Sequence, residues 1–162
     1  LSDKLKMDIC NRNALDSIAP CVEVCLTDGS KTGLAFHGVP SGHEFTSFIL
    51  GLYNAAGPGQ AIDEEIKQKI AAIEKPTHMK VLVTLSCTMC PDLVVAAQKI
   101  ASINPLVTAE VYDIRHFDAI KNKYQVMSVP CLIINDDFVS FGKKNINQIL
   151  DMVNGESIIW QN

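Results

Sequence analysis

An α/β fold made of two related halves is what the pattern of this chain predicts, and three observations carry the prediction. Apolar runs of strand length alternate with amphipathic stretches of helical period along most of the 162 residues. A Cys-x-x-Cys, Cys87-Thr88-Met89-Cys90, joins a strand-like run to a helix-like run. Finally, one succession occurs twice: a Pro-Cys pair, an apolar strand, a turn, a short strand and a helix. It starts first at Ala19-Pro20-Cys21 and again at Val129-Pro130-Cys131.

The elements follow in order. Leu5-Lys6-Met7-Asp8-Ile9 alternates apolar and polar, as a half-buried strand does. Residues 11–16 read as a loop. Ala19 to Leu26 reads as a strand closed by Asp28-Gly29-Ser30, and Leu34 to His37 as its hairpin partner. A helix is expected from His43 to Ala56, with Phe45, Phe48, Ile49, Leu52 and Tyr53 forming one apolar stripe toward the core. Gly57-Pro58-Gly59 ends it. A second amphipathic helix is expected over Ile62 to Lys75, with acids in its first turn and Pro76 as its stop. The second half reads strand 79–85, helix 91–103, strand 107–113, helix 117–124, strands 131–135 and 138–141, and helix 145–153. Asn145 is placed to cap the last helix and Gly155 to follow it.

Composition narrows the function. Apolar residues make up 48% of the chain, enough for a core, and the formal net charge is −4 with no basic run longer than two. Nucleic acid is therefore a poor partner. No apolar run reaches membrane-spanning length and no secretory signal leads the chain, so no membrane partner is expected. Leu1 is not an initiator Met, which reads as an excised domain. Six cysteines without the spacing of a secreted framework suggest a reducing, cytoplasmic setting with mostly free thiols. Cys10, Cys21, Cys25 and Cys131 are expected as small core hydrophobes. The four histidines show no metal-ligand spacing, so no metal is expected. Trp160 falls in a short tail.

The Cys-x-x-Cys carries the chemistry. At a strand-to-helix junction its first sulfur meets the free N–H groups and positive end of the helix, which favour a thiolate. Cys87 is thus the expected nucleophile, its pKa lowered from ~8.5 toward ~5–7. Cys90, one turn inside, is the expected resolving thiol. Pro91 suits the first helical turn. The alternative is a structural metal module. Its second ligand pair would have to be Cys21 and Cys25 on a strand, and a closed zinc site wants a tighter pair.

Four stretches carry a resemblance: Leu1-Ser2-Asp3-Lys4, Gly42-His43-Glu44-Phe45-Thr46-Ser47, Leu85-Ser86-Cys87-Thr88-Met89-Cys90-Pro91-Asp92, and Val126-Met127-Ser128-Val129-Pro130. In these the chain resembles the tandem thioredoxin-like domain of the alkyl hydroperoxide reductase flavoprotein subunit. The resemblance implies two fused thioredoxin-like, glutaredoxin-like units. The first spans 1–60, lacks a Cys-x-x-Cys, and is degenerate and truncated, without its opening strand and helix. A connecting helix lies in 61–76, the unit with the Cys-x-x-Cys spans 77–155, and a tail covers 156–162. The resemblance also implies a thiol–disulfide relay. Electrons would come from a thioredoxin-reductase-like flavin module carrying FAD and using NAD(P)H, in cis or in trans, and pass to a peroxiredoxin-type protein. No cofactor is expected in this segment. A general protein disulfide oxidoreductase is the runner-up. Read from its place alone, Glu44 is a first-turn acid facing water; the resemblance sets it beside the Cys-x-x-Cys as a proton acceptor or donor. It also implies a cis Val129-Pro130 next to Cys87, where Val129, Pro130, Thr88 and Met89 would meet the partner chain. Pro20 is the structural counterpart of Pro130 in the first half. Cys131 and the Thr88-Met89 dipeptide depart from the family pattern.

Overall fold

The computed structural model describes residues 5–10 and 19–155. The element order is β1 (Cys21–Cys25), β2 (Lys31–His37), α1 (Glu44–Ala56), α2 (Glu64–Ala71), β3 (Thr77–Val83), α3 (Cys90–Ile103), β4 (Val107–Asp113), α4 (Asp118–Lys123), β5 (Cys131–Ile134), β6 (Phe138–Phe141) and α5 (Ile146–Val153). Six strands form one sheet in the order β1-β2-β4-β3-β5-β6. β3 and β2 each run parallel to β4, and the two hairpins β1–β2 and β5–β6 lie at the edges. No helix among the described residues is long and apolar enough to cross a membrane.

β3 and β4 alternate buried and more exposed residues at first, with His78 and Lys80 on β3 and Thr108 and Glu110 on β4 on the less buried side, and become buried on both faces over Val81–Val83 and Val111–Asp113. Met79, Val81, Val83, Val107, Ala109 and Val111 pack under α1, α2, α3 and α5, while Leu82, Tyr112, Cys131 and Ile133 form a smaller core on the other side with Phe117. The hairpin turn falls at Asn135 and Asp136, whose φ angles of 52° and 62° suit residues tolerant of the left-handed region. Asn145 caps α5 through a complete capping box: its side chain accepts from Gln148 N and its N–H donates to the Gln148 side chain, both at 2.9 Å. Asn104, buried at the end of α3, donates to Ile70 O at 2.8 Å and Ile73 O at 2.9 Å, closing the C-terminal end of α2.

One local arrangement occurs twice in the chain. Ala19-Pro20 and Val129-Pro130 are both cis. Gly38 N donates to Pro20 O and Gly142 N to Pro130 O, each at 2.8 Å.

Several expectations are corrected. Residues 5–9 form no strand. Among the described residues they have no sheet neighbour, and Leu5, Met7 and Ile9 are exposed. α2 is shorter than expected, starting after an Asp63 N-cap and ending before Ala72. β3 starts two residues earlier and stops two earlier than read, because Thr84 to Met89 is needed to turn into α3. The α1 stripe is only half inward. Phe48 and Leu52 pack on the core, whereas Phe45, Ile49 and Tyr53 are 55%, 44% and 44% exposed. The face that α1 buries most deeply is polar or small: Glu44, Ser47, Gly51 and Asn54. That face meets α3, and Gly51 explains the choice. A Cβ there would lie 2.7 Å from Gln98 Oε1. The cysteine expectation fails in part. Cys131 is buried, but Cys10 is exposed outside any strand, and Cys25 is exposed and Cys21 intermediate on β1, the edge strand of the described sheet. The loop expected at 11–16, the Leu1–Lys4 stretch, the tail and Trp160 lie outside the described residues.

Candidate functional site

Parallel strands gather their connections at one end of a sheet, and ligand chemistry collects there. β2, β3 and β4 are parallel, so the segments after His37, Val83 and Asp113 emerge together. β5 runs antiparallel to β3 with Cys131 opposite Leu82, which brings the preceding Val129-Pro130 to the same end. Four segments thus converge, around 38–44, 84–90, 113–115 and 129–130. Hydrogen bonds tie the first three. His43 N donates to Leu85 O at 3.1 Å, and the Arg115 guanidinium donates to Ser86 Oγ at 2.6 Å. Gly42, with φ of 56°, is required by the first tie, since any Cβ there would strike the Leu85 carbonyl oxygen.

Cys87 and Cys90 form a disulfide with Cα atoms 5.5 Å apart. Their environments differ. Cys90 is fully buried as the first residue of α3, and Cys87 is half-buried in the loop before it. Met89 is the N-cap of α3 and has no capping side chain, so no side chain competes for the first amides of the helix. Cys87 therefore lies just outside the helix start rather than within its first turn. Thr88 and Met89 are exposed beside it, Met89 by 49%. Val129 is half-buried and Pro130 buried, and the bond between them is cis.

Glu44 is fully buried at the start of α1, one residue after the His43 tie. Ser47 Oγ donates to its Oε2, while its Oε1 has no hydrogen-bond partner. Burial pushes its carboxyl up to about 7, with the Ser47 hydroxyl pulling the other way. A first-turn acid facing water is thus not what the fold contains. Cys131 is buried on β5, and burial raises its thiol to about 11, which keeps it neutral and inert near neutral pH. Among the described residues no group of three or more His, Cys, Asp or Glu is arranged to hold a metal.

Arg115 is the site residue that sequence reading missed. It lies 29 positions from Ser86, on a loop after a strand, with no motif around it. Its backbone N–H donates to Asp113 Oδ1 at 3.1 Å, which aims it back across the site. A strand-end basic residue after a parallel strand was the one available signal.

The Thioredoxin domain family model matches residues 77–153. The alkyl hydroperoxide reductase protein AhpF of Pseudomonas aeruginosa is 33% identical over 122 residues, covering 75% of this chain and 23% of that protein. A Bacillus subtilis protein named NADH dehydrogenase is 30% identical over 122 residues, 75% of this chain and 24% of that one. The chain thus spans about a quarter of the length of these curated relatives. Among solved structures, the NTD_N/C domain of alkylhydroperoxide reductase AhpF from Enterococcus faecalis is 38% identical with a TM-score of 0.80, over 85% of this chain and 66% of that one. A protein disulfide oxidoreductase from Aeropyrum pernix, 24% identical, shares the fold with a TM-score of 0.74 over 88% of this chain and 61% of that one. The chain belongs to the thioredoxin-like domains of the AhpF family of alkyl hydroperoxide reductase proteins.

Proposed function

We propose that the chain is a thiol–disulfide relay that takes electrons from a flavin module and delivers them to a peroxiredoxin-type disulfide. The observation that carries this is the unequal exposure of the Cys87–Cys90 pair at the point where four segments converge. In the reduced state Cys87 thiolate attacks the partner disulfide. A Cys87–partner bond forms, the partner S–S bond breaks, and one partner thiolate leaves. Cys90 then attacks Cys87 Sγ, the mixed disulfide breaks, and the Cys87–Cys90 bond returns. Two electrons and two protons have moved to the partner.

Glu44 holds or releases a proton at Oε1 during this exchange. A carboxyl near 7 suits that role at neutral pH. The exposed Thr88 and Met89 and the Val129-Pro130 backbone are the surface offered to the partner strand. Arg115 steadies Ser86 beside the nucleophile.

FAD and NAD(P)H belong on a separate module in this reading. The β3-to-α3 turn, 84–89, contains no glycine, whereas a strand–turn–helix cradle for a dinucleotide needs several. When bound there, the flavin supplies the electron pair that reopens the Cys87–Cys90 bond. Four free thiols agree with a reducing, cytoplasmic setting.

The test is electron transfer from the reduced chain to an oxidised peroxiredoxin and, in parallel, to insulin. Faster peroxiredoxin reduction, abolished by Cys87→Ser, supports the relay. Equal rates on both substrates would turn the reading to a general disulfide reductase.

A further inference from the structure

Glu44 is completely buried, yet a proton it takes from a thiol has to reach solvent before the next turnover. Its route follows from the packing of α1 on α3. β2 and β3 are both parallel to β4, so the helices that follow them start at the same end of the sheet and run the same way. The close approach of Gly51 to Gln98 sets their register. Seven residues back on each helix, about two turns, that register brings Glu44 to the level of Pro91, next to Cys90 in the chain. Ser47 lies between Glu44 and Gly51 on the same α3-facing side.

The Ser47 hydroxyl has one hydrogen and two acceptors. It donates to Glu44 Oε2, and it also lies 2.9 Å from the Glu44 backbone oxygen. It therefore suits both states of the acid. It donates to the carboxylate when Glu44 is ionised. When Glu44 is protonated, it accepts the acid O–H and turns its own hydrogen to the backbone oxygen. Ser47 also lines a cleft of about 810 Å³, with Thr46, Pro91, Asp92, Lys143 and Asn145. That is roomy against the ~30 Å³ of a liquid water, and Asp92, Lys143 and Asn145 offer water polar partners. None of Cys87, Thr88, Met89, Val129 and Pro130 lines the cleft, so a partner chain seated on those residues leaves it open.

We propose that Ser47 is the proton relay of this site, carrying protons between Glu44 and water in the cleft, away from the docking face. The relay rests on the thiol–disulfide exchange proposed above, and Ser47 acts in it through Glu44. During resolution the Cys90 thiol gives its proton to Glu44 at Oε1. The Cys90 sulfur attacks Cys87 Sγ, the mixed disulfide breaks, and the partner leaves as a thiolate that takes a proton from solvent. The Glu44 carboxyl then turns half a revolution about its Cγ–Cδ bond, a broad two-fold torsion, which exchanges its two oxygens. Its O–H now faces Ser47. Ser47 Oγ takes that proton as it gives its own hydrogen to a water in the cleft. Glu44 ends ionised, Ser47 ends unchanged, and one proton has passed from Cys90 to solvent. Proton release thus proceeds while the partner still covers Cys87.

The test reads the proton on Glu44 directly. The whole 162-residue chain, with its disulfide intact, carries carbon-13 in its glutamate carboxyls. Relaxation dispersion is recorded at the midpoint of the Glu44 titration, near pH 7 in the parent. The Glu44→Gln spectrum identifies the signal. Ser47→Ala, with its fold checked by circular dichroism, is expected to slow proton exchange at Glu44 at least about tenfold, the effect of losing one hydrogen bond to a charged group. Ser47→Thr keeps a hydroxyl and is expected to keep the parent rate. In turnover, Ser47→Ala should slow peroxiredoxin reduction while alkylation of reduced Cys87 is unchanged, and in the Glu44→Gln background it should add nothing. An unchanged exchange rate in Ser47→Ala, or a Thr variant as slow as the Ala one, would overturn the relay. The exchange rate needs no redox partner. A chain that shows the Ser47 effect but fails to reduce peroxiredoxin would therefore sink the exchange reading and leave the proton path standing.

Discussion

Glu44→Gln tests the buried carboxyl most simply. The folded chain holds this proton to about pH 7, against 4.5 for an ordinary glutamate. That difference is worth about 3 kcal/mol at 1.36 kcal/mol per pH unit. The sign follows from linkage. Below about pH 4.5 folded and unfolded chains are both protonated, and the carboxyl adds no pH dependence. Between about 4.5 and 7 the unfolded chain ionises while the folded one keeps its proton, so stability falls with rising pH and levels off above 7. Gln cannot ionise, and its amide oxygen can still accept from Ser47. The variant should match the parent near pH 4.5 and exceed it by about 3 kcal/mol above pH 8. Urea unfolding across that range, with the Cys87–Cys90 disulfide intact, reads the difference as a growing shift in midpoint at constant slope. Parallel curves for the two proteins, or a deficit in the Gln variant that grows with pH, would refute the argument.

Asp136 titrates in the opposite sense. Hydrogen bonds from Lys80 and Tyr124 hold its carboxyl down at about 2. The stability it supplies is present above the ordinary value of 3.8 and lost as pH falls through about 2. With its side chain half exposed, screening reduces this to about 1 kcal/mol. Asp136→Asn should therefore lose about that much at neutral pH and nothing below pH ~2, read by urea midpoints. Asn104→Ala takes the Asn104 donor from the Ile73 carbonyl, one of two donors from the Ile70 carbonyl, which keeps the Ile73 N–H, and the acceptor from the part-buried Leu106 N–H, and should cost about 1–3 kcal/mol in the same assay. Arg115→Gln removes the positive charge against Ser86 and should slow alkylation of reduced Cys87 at neutral pH by roughly two- to fivefold, without moving the unfolding midpoint.

The parts of the fold that sequence made legible are those where one local rule acts alone. β4 and β6 match their expected ranges, and the Asn145 cap and the Asn135-Asp136 turn are set by residues that suit those conformations. The misses have a common cause in tertiary context. Periodicity drew one apolar stripe on α1, but α1 touches both the sheet and α3, and the α3 contact selected Gly51 and the polar Glu44, Ser47 and Asn54. Leu5 to Ile9 has the alternation of a strand, yet alternation does not supply a neighbour to pair with. Cys21 and Cys25 read as core because their run is apolar, but an edge strand buries few of its residues. At the site, the Cys-x-x-Cys was legible because both sulfurs sit in one short motif. Arg115 was not, because only the sheet topology brings it to Ser86.

The order of attack at the disulfide is the central claim, and trapping tests it directly. A Cys90→Ser variant, reduced and mixed with oxidised peroxiredoxin, is predicted to accumulate a mixed disulfide whose mass and peptide map join Cys87 to the partner. Cys87→Ser is predicted to form none. A stable adduct through Cys90 in the Cys87→Ser variant, with no adduct in the Cys90→Ser variant, would contradict the account.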